Sequence, residues 1–239
     1  MRGFAETRGI DYPLLADVGS VAIRRLGLYN EHRVAQAAAH GIANPASDQE
    51  GIPYPGIFVL DEAGIVVSRQ FEHSYRPRPS TAAVLETLGL ASAERVVVAR
   101  GGTAEVEIRA AMVAPLYRPY EIERIWIDLA IGPGLHVFGS PIPPDYTPLR
   151  IGLSGDDVLV AGECVLPAPT PYAIEGLDDR LVIHEGQVSG HLDFRVEGAR
   201  GDLTLTLTCA FQACSDTICY PPRRIDLPLS LTLEPLIRD

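Results

Sequence analysis

Thr206-Leu207-Thr208-Cys209-Ala210-Phe211-Gln212-Ala213-Cys214-Ser215-Asp216-Thr217-Ile218-Cys219-Tyr220-Pro221-Pro222 is the stretch on which the reading of this chain turns. Its first part alternates. With Leu203 and Leu205 upstream, Leu207, Cys209 and Phe211 fall on one face of a strand, because successive side chains point to opposite sides of a pleated sheet. Its second part sets two cysteines, Cys214 and Cys219, around residues 215–218. A loop of about four residues suits a hairpin, and a hairpin holds its flanking residues opposite each other, about 4.5 to 5.5 Å apart at Cα. That is within disulfide range. Pro221 and Pro222 have no N–H to donate, so the ladder breaks just past the sulfurs and this strand belongs at an edge. An open edge beside a disulfide is a place where another chain can dock. A disulfide here would close a very short loop, which restrains the unfolded chain less than a long one does. The residues alone leave two readings open: a structural staple, or the working part of a thiol–disulfide exchange protein.

The chain has 239 residues, enough for one large domain or two ordinary ones. At 46% hydrophobic and 21% charged, it has a globular composition and can bury a core without staples. A formal net charge of −11 argues against a nucleic-acid partner, which needs clustered Lys and Arg, and offers no basic patch to anionic lipid. No apolar run approaches the roughly 18 to 20 residues that span a bilayer. Met1-Arg2-Gly3-Phe4-Ala5-Glu6-Thr7-Arg8-Gly9 has no apolar segment of the kind an export signal carries. The four cysteines, Cys164, Cys209, Cys214 and Cys219, are too few for a disulfide-dense scaffold and make no CxxC pair. The six histidines are scattered, so no metal site and no cofactor is expected. Cys209 points with leucines into a core, and Cys164, in Ala161-Gly162-Glu163-Cys164-Val165-Leu166, is expected to be buried too. Both read as inert thiols, since an unpaired cysteine behaves as a small hydrophobe. Their mutual pairing stays open, because four cysteines allow three connectivities.

Two halves differ in texture. Residues 1–92 mix helix and strand signals. Residues 1–8 read as the end of a helix stopped by Gly9, and Tyr12-Pro13-Leu14-Leu15-Ala16-Asp17 as a short strand. Ser20 is placed to cap a helix over residues 21–26, stopped by Gly27. Residues 30–50 are polar and alanine-rich. Strands over 56–61 and 65–71 flank a turn at Glu62-Ala63-Gly64, and Pro79-Ser80 starts a helix over 81–88. Residues 93–239 are strand-like almost throughout, with segments at 95–98, 104–109, 122–129 and its partner 135–138, then 149–153, 188–196, 203–209 and 225–231. Short strands parted by Gly/Pro turns predict an antiparallel sandwich.

The first segment resembles the carboxy-terminal part of the AhpC/TSA peroxiredoxin-like family, which has a thioredoxin fold. The resemblance lies in Ile10-Asp11-Tyr12-Pro13-Leu14-Leu15-Ala16-Asp17, Ile23-Arg24-Arg25-Leu26-Gly27 and Ile52-Pro53-Tyr54-Pro55-Gly56-Ile57-Phe58-Val59-Leu60-Asp61-Glu62-Ala63-Gly64. It implies a partial thioredoxin-like α/β domain over residues 1–92 and a cis Tyr54–Pro55 bond. That family's reactive cysteine opens its first long helix, yet residues 1–92 hold no cysteine. This segment is therefore expected to lack the peroxide-reducing half, with a truncated or misplaced start.

Residues 95–237 resemble the amino-terminal, immunoglobulin-like domain of the thiol:disulfide interchange protein DsbD family. The stretch quoted above carries the likeness, with Leu227-Pro228-Leu229-Ser230 after it; Leu135-His136-Val137-Phe138 and Glu185-Gly186-Gln187-Val188 add weaker matches. The resemblance implies an immunoglobulin-like sandwich over residues 93–239 and a Cys214/Cys219 pair cycling between dithiol and disulfide. Cys219 would form the mixed disulfide and Cys214 would resolve it. Thioredoxin-like redox proteins and disulfide-bearing client proteins would be the partners, and the compartment periplasmic or otherwise extracytoplasmic. Asp216 lies nearby and no Lys or Arg precedes Arg223, so a strongly acidic thiol is not expected. The family shields its cysteines with an aromatic-bearing loop; the corresponding residues are 171–186, where Tyr172 is either that shield or a plain surface residue.

The expected architecture is thus a partial thioredoxin-like α/β fold followed by an all-β immunoglobulin-like sandwich. The expected activity is that of a thiol–disulfide oxidoreductase working through Cys214 and Cys219. The alternatives are a non-enzymatic interaction module with a structural disulfide, and a piece of a peroxiredoxin-type antioxidant enzyme whose reactive half lies elsewhere.

Overall fold

Alternation of apolar residues at period two governs most of the molecule, and strands follow from it. The computed structural model describes residues 2–7, 9–32, 34–35, 51–71, 78–80, 84–85, 88–89, 94–155, 159–173, 181–198 and 201–234. The chain divides into two compact units, Met1–Tyr75 and Arg76–Asp239.

In the first unit, helix α1 (Arg2–Thr7) is followed by a single turn of tighter helix at Val18–Ser20 and by helix α2 (Val21–Arg25). Ser20 precedes α2 in the left-handed region, at φ 57°, and its side chain makes no capping bond. Asp17 does that work: its two carboxylate oxygens accept the Ala22 and Ile23 N–H groups, each at 2.9 Å. These bonds hold the Asp17 carboxyl below its ordinary range. At the other end Gly27, at φ 71°, takes the left-handed position; Leu28 N–H reaches Ile23 O at 2.8 Å and Gly27 N–H reaches Arg24 O at 3.1 Å. This pair of bonds is a Schellman stop. Strands β1 (Gly56–Leu60) and β2 (Val66–Phe71) form the expected hairpin. Asp61 Oδ1 ties its turn by accepting from Ala63 and Ile65 N–H.

Besides the Ser20 cap, two further expectations fail in this unit. Residues 12–17 form no strand: Pro13 has no donor, no neighbouring strand pairs with them, and Leu15 is 88% exposed. Tyr54–Pro55 is trans; the cis bond among the described residues is Ser140–Pro141. An extended entry to a two-stranded hairpin is compatible with the trans isomer, which is favoured by about 0.5–1 kcal/mol. The expectations for residues 36–50, and for residues 81–83 and 86–87 of the helix over 81–88, lie outside the described residues.

The second unit contains β3 (Arg78–Pro79), β4 (Val96–Gly102), β5 (Val106–Met112), β6 (Leu116–Tyr117), β7 (Glu121–Ile131), β8 (His136–Phe138), β9 (Arg150–Ser154), β10 (Leu159–Val165), β11 (Thr170–Tyr172), β12 (Leu181–Glu185), β13 (Gln187–Val196), β14 (Leu203–Phe211), β15 (Ala213–Cys214) and β16 (Arg223–Leu233). One sheet runs β10-β13-β7-β5-β4, with β3 pairing β7; a second runs β6-β16-β14-β9. Ile108, Ile127, Leu129, Leu192 and Phe194 of the first sheet share one core with Leu205, Leu207, Cys209, Leu227, Leu229 and Leu231 of the second. The molecule is in this part a β-sandwich. Pro228 sits inside β16 opposite Thr206, where β16 is bonded on one side only, since β6 meets it at Thr232 and Leu233.

A third, smaller sheet runs β11-β12-β8-β15 and has its own core of Phe138, Leu181, Ile183 and Cys214. The partner expected for 122–129 was 135–138, but β7 pairs with β5 and β13, and β8 pairs with β12 and β15. The loop from 132 to 135 carries the chain into the small sheet instead of folding it back as a hairpin.

Candidate functional site

The cysteine motif lies where the chain changes sheets. β14 stays in register with β16 as far as Phe211↔Arg223. Gln212 then interrupts the strand, and β15 pairs with β8, placing Ala213 opposite Val137 and Cys214 opposite His136. The Gln212 side chain donates to Tyr220 O at 3.0 Å, and Tyr220 N–H donates to Ala213 O at 2.9 Å. Cys214 and Cys219 face each other as an antiparallel bridge. Their Cα atoms are 4.1 Å apart, closer than the hairpin argument gives, and their sulfurs are joined at 2.12 Å with a dihedral of 114°. Ser215 organises the loop: its N–H donates to Ile218 O at 2.7 Å, and its Oγ accepts from Ile218 N–H at 3.0 Å. Pro221 and Pro222 are exposed and belong to no strand, so the ladder is interrupted where the sequence places the break.

The two half-cystines differ in environment. Cys214 is 1% exposed, packed in the small core. Cys219 is exposed, between Ile218 at 57% and Tyr220 at 37% exposure. One sulfur is therefore carried by a residue that an incoming chain can meet, next to two apolar groups that it can cover. The other belongs to a residue shielded by its own sheet.

Tyr172 is more than a plain surface residue. Its hydroxyl donates to Asp216 Oδ1 at 2.9 Å, inside the cysteine loop, and its ring packs on His136 at 4.6 Å. Of the loop over 171–186, residues 174–180 lie outside the described residues. Beside the disulfide a cleft of about 450 Å³ is lined by Leu135, His136, Tyr172, Ile183, Glu185 and Asp216 among others. Burial holds the His136 imidazole below its ordinary pKa, partly offset by the Asp216 and Glu185 carboxylates. His136 and Glu185 escaped the sequence reading as parts of the site. The expected pairing of 135–138 with 122–129 hid them, since it is the pairing of β8 with β12 and β15 that sets His136 opposite Glu185 and Cys214.

Cys164 and Cys209 are unpaired. Cys209 is buried as expected, and burial, with smaller contributions from Cys164 and Asp226, pushes its thiol up to about 12. Cys164 is half-buried rather than buried, because β10 is an edge strand whose pairing with β13 is irregular between Ala161 and Cys164. Its thiol is still pushed up to about 11 by burial. Neither is a ready nucleophile at neutral pH. Among the described residues no cluster of His, Cys, Asp and Glu is placed to hold a metal ion, and no helix is long and apolar enough to cross a membrane.

A sandwich with a disulfide at one end, one half of it shielded and the other exposed, has the form of a thiol–disulfide exchange domain. The chain belongs to the family described as "Thiol:disulfide interchange protein DsbD, N-terminal", which matches residues 111–230. No curated protein sequence matches it. Among solved structures it is similar to the reduced DsbD N-terminal domain of Neisseria meningitidis, at 14% identity over 45% of this chain and 77% of that one, with a TM-score of 0.31. It is also similar to the N-terminal periplasmic domain of ScsB from Proteus mirabilis, at 14% identity over 58% of this chain and 52% of that one, TM-score 0.40. A third is the complex between the DsbD N-terminal and PilB N-terminal domains of Neisseria meningitidis, at 14% identity over 44% of this chain and 73% of that one, TM-score 0.32. Likenesses this distant carry no further argument; the family rests on the match over 111–230.

Proposed function

We propose that this protein relays electrons by thiol–disulfide exchange through Cys214 and Cys219. The unequal exposure of the two residues carries the reading. A partner thiolate attacks Cys219 Sγ, the Cys214–Cys219 bond breaks, and Cys214 leaves as the thiolate. The partner's second thiol then attacks the mixed disulfide and departs as a disulfide, leaving the protein as a dithiol. In the second half of the cycle the Cys219 thiolate attacks a client disulfide, and Cys214 resolves the mixed disulfide that results. The partners are thioredoxin-like redox proteins on the reducing side and disulfide-bearing clients on the other. Membership of the family supports a periplasmic or otherwise extracytoplasmic site, where such exchange is useful. Residues 1–92 are read as a partial thioredoxin-like domain without its reactive-cysteine half, ahead of an exchange domain over 93–239. The β1–β2 hairpin and α2 support it, and the coding sequence upstream of Met1 tests it by containing or lacking a strand–helix–strand with a cysteine.

The exchange reading is tested by equilibrating the full chain with glutathione and dithiothreitol buffers, and by trapping with Cys214→Ser and Cys219→Ser variants. The expected potential lies between about −180 and −270 mV, in the range of exchange proteins. Cys214→Ser should accumulate mixed disulfides and Cys219→Ser should not. A potential below about −300 mV with no trapped partner would make the disulfide a staple and the sandwich an interaction module.

A further inference from the structure

In the exchange cycle one step needs a group that the two cysteines do not supply. Once Cys219 is joined to a client, Cys214 must lose its proton before it can attack, and a thiol shut away from water resists ionisation. Cys214 is 1% exposed. We propose that His136 is the proton acceptor for Cys214 in the resolving step, and the donor that returns this proton when the exchange runs the other way. The proposal rests on the exchange reading above.

The geometry is that of a cross-strand pair. β15 and β8 set Cys214 opposite His136. Residues so paired project to the same face, with Cβ atoms about 4.5–5.5 Å apart. Both are closed off, His136 at 4% exposure. The imidazole is held by two rings, Tyr172 at 4.6 Å and Phe138 edge-on at 5.4 Å. His136 also lines the cleft, which gives the proton a way out.

The groups facing His136 come from three elements. Asp216 follows β15, Glu185 lies opposite His136 on β12, and Tyr172 on β11 donates to Asp216. Both carboxylates favour the imidazolium, but burial outweighs them and holds the imidazole below its ordinary 6.5. At neutral pH the ring is therefore a neutral base. Its protonated form, once made, is stabilised by the two carboxylates.

The step balances. In the mixed disulfide Cys219 Sγ is bonded to the client sulfur, Cys214 is a thiol and His136 is neutral. The Cys214 proton passes to the imidazole, and the Cys214 thiolate attacks Cys219 Sγ. The Cys214–Cys219 bond forms, the Cys219–client bond breaks, and the client leaves as a thiolate that takes up the proton. No oxidant beyond the client disulfide is required.

The test uses the reduced full chain carrying Cys164→Ala, mixed rapidly with a nitrobenzoate disulfide that releases one coloured thiolate at each step. The first phase reports attack by Cys219 and the second reports resolution by Cys214. The second-phase rate should rise with pH through a shoulder below 6.5. In His136→Gln the shoulder should vanish and resolution at pH 7 should slow by about 100-fold, as general-base losses do, with the first phase unchanged. His136→Ala should recover part of the rate on addition of imidazole. A second phase in His136→Gln that matches the parent at every pH overturns the proposal. So does a parent profile without the shoulder, which needs no variant to fold. A parent chain that shows no second phase at all refutes the exchange reading itself.

Discussion

Glu123 offers a test of the electrostatics of the sandwich that owes nothing to the disulfide. It sits on β7, half-buried, in a cleft of about 230 Å³ with Val113, Ala114 and Leu116. Its Oε1 is buried with no hydrogen-bond partner. Arg118, the nearby cation, is already held by Glu234 at 2.7 Å and Glu121 at 3.3 Å. Burial first, then the Glu121 and Glu234 charges, push the Glu123 carboxyl from 4.5 up to about 7, against the pull of Arg118. A carboxyl raised in the folded state binds more protons folded than unfolded. Stability therefore falls as pH rises from about 4.5 to about 7, and the cost is fully present above that. At 1.36 kcal/mol per pH unit the shift is worth about 3 kcal/mol, and solvent access to the half-buried side chain reduces the working figure to about 2. Glu123→Gln keeps the shape of the protonated acid and removes the titration. Urea unfolding of both proteins at pH 5, 6, 7 and 8 should show little difference at pH 5. By pH 8 the variant should lead by about 2 kcal/mol, enough to separate the melting temperatures by several degrees. Two stability–pH curves that run parallel would refute the burial argument.

Two further outcomes concern the site. Tyr172→Phe removes the bond to Asp216 and leaves the ring on His136, so stability should change by less than about 1 kcal/mol. The cysteine loop should open more often, and iodoacetamide should alkylate reduced Cys219 up to about fivefold faster; an unchanged rate would mean that the tyrosine does not restrain the loop. Reducing the disulfide releases a closure of sequence separation 5, worth about 2 kcal/mol by chain entropy. The reduced chain should therefore stay folded with a lower urea midpoint, and loss of the sandwich on reduction would contradict that accounting.

The sandwich was legible because its strands obey period two without help from the rest of the chain. Leu205, Leu207, Cys209 and Phe211 alternate in the sequence and are buried in turn in β14. Short strands were missed where no alternation can develop: β6 and β15 have two residues each and β11 has three. β12 is marked by Leu181 and Ile183, but it follows a polar stretch that hid it. The disulfide was legible because residues five apart around a turn meet locally. The surroundings of Cys214 were not, because His136, Tyr172 and Glu185 arrive from strands far away in sequence. In the first unit local chemistry decided differently from expectation: a carboxylate at Asp17 out-competed the hydroxyl of Ser20 for the helix N–H groups, and that choice depends on a backbone turn the sequence does not advertise.

The division between two cores gives the disulfide its latitude. Cys209 is part of the main core between the large sheets, and Cys214 is part of the small cluster with Phe138, Leu181 and Ile183. The chain passes from one to the other within five residues by breaking its strand at Gln212. Close-packed interiors respond to small displacements, so a reactive bond built into the main core would strain the whole sandwich each time it opened. Placed in β15, it lies against a three-residue strand, β8, and a loop tied by Ser215. Strain from opening the bond there would fall first on the small sheet, not on the main core. The same arrangement leaves Cys219 exposed while Cys214, the proposed resolving residue, stays shielded beside His136. Asymmetric access and local compliance thus have one structural cause, the change of sheet at Gln212.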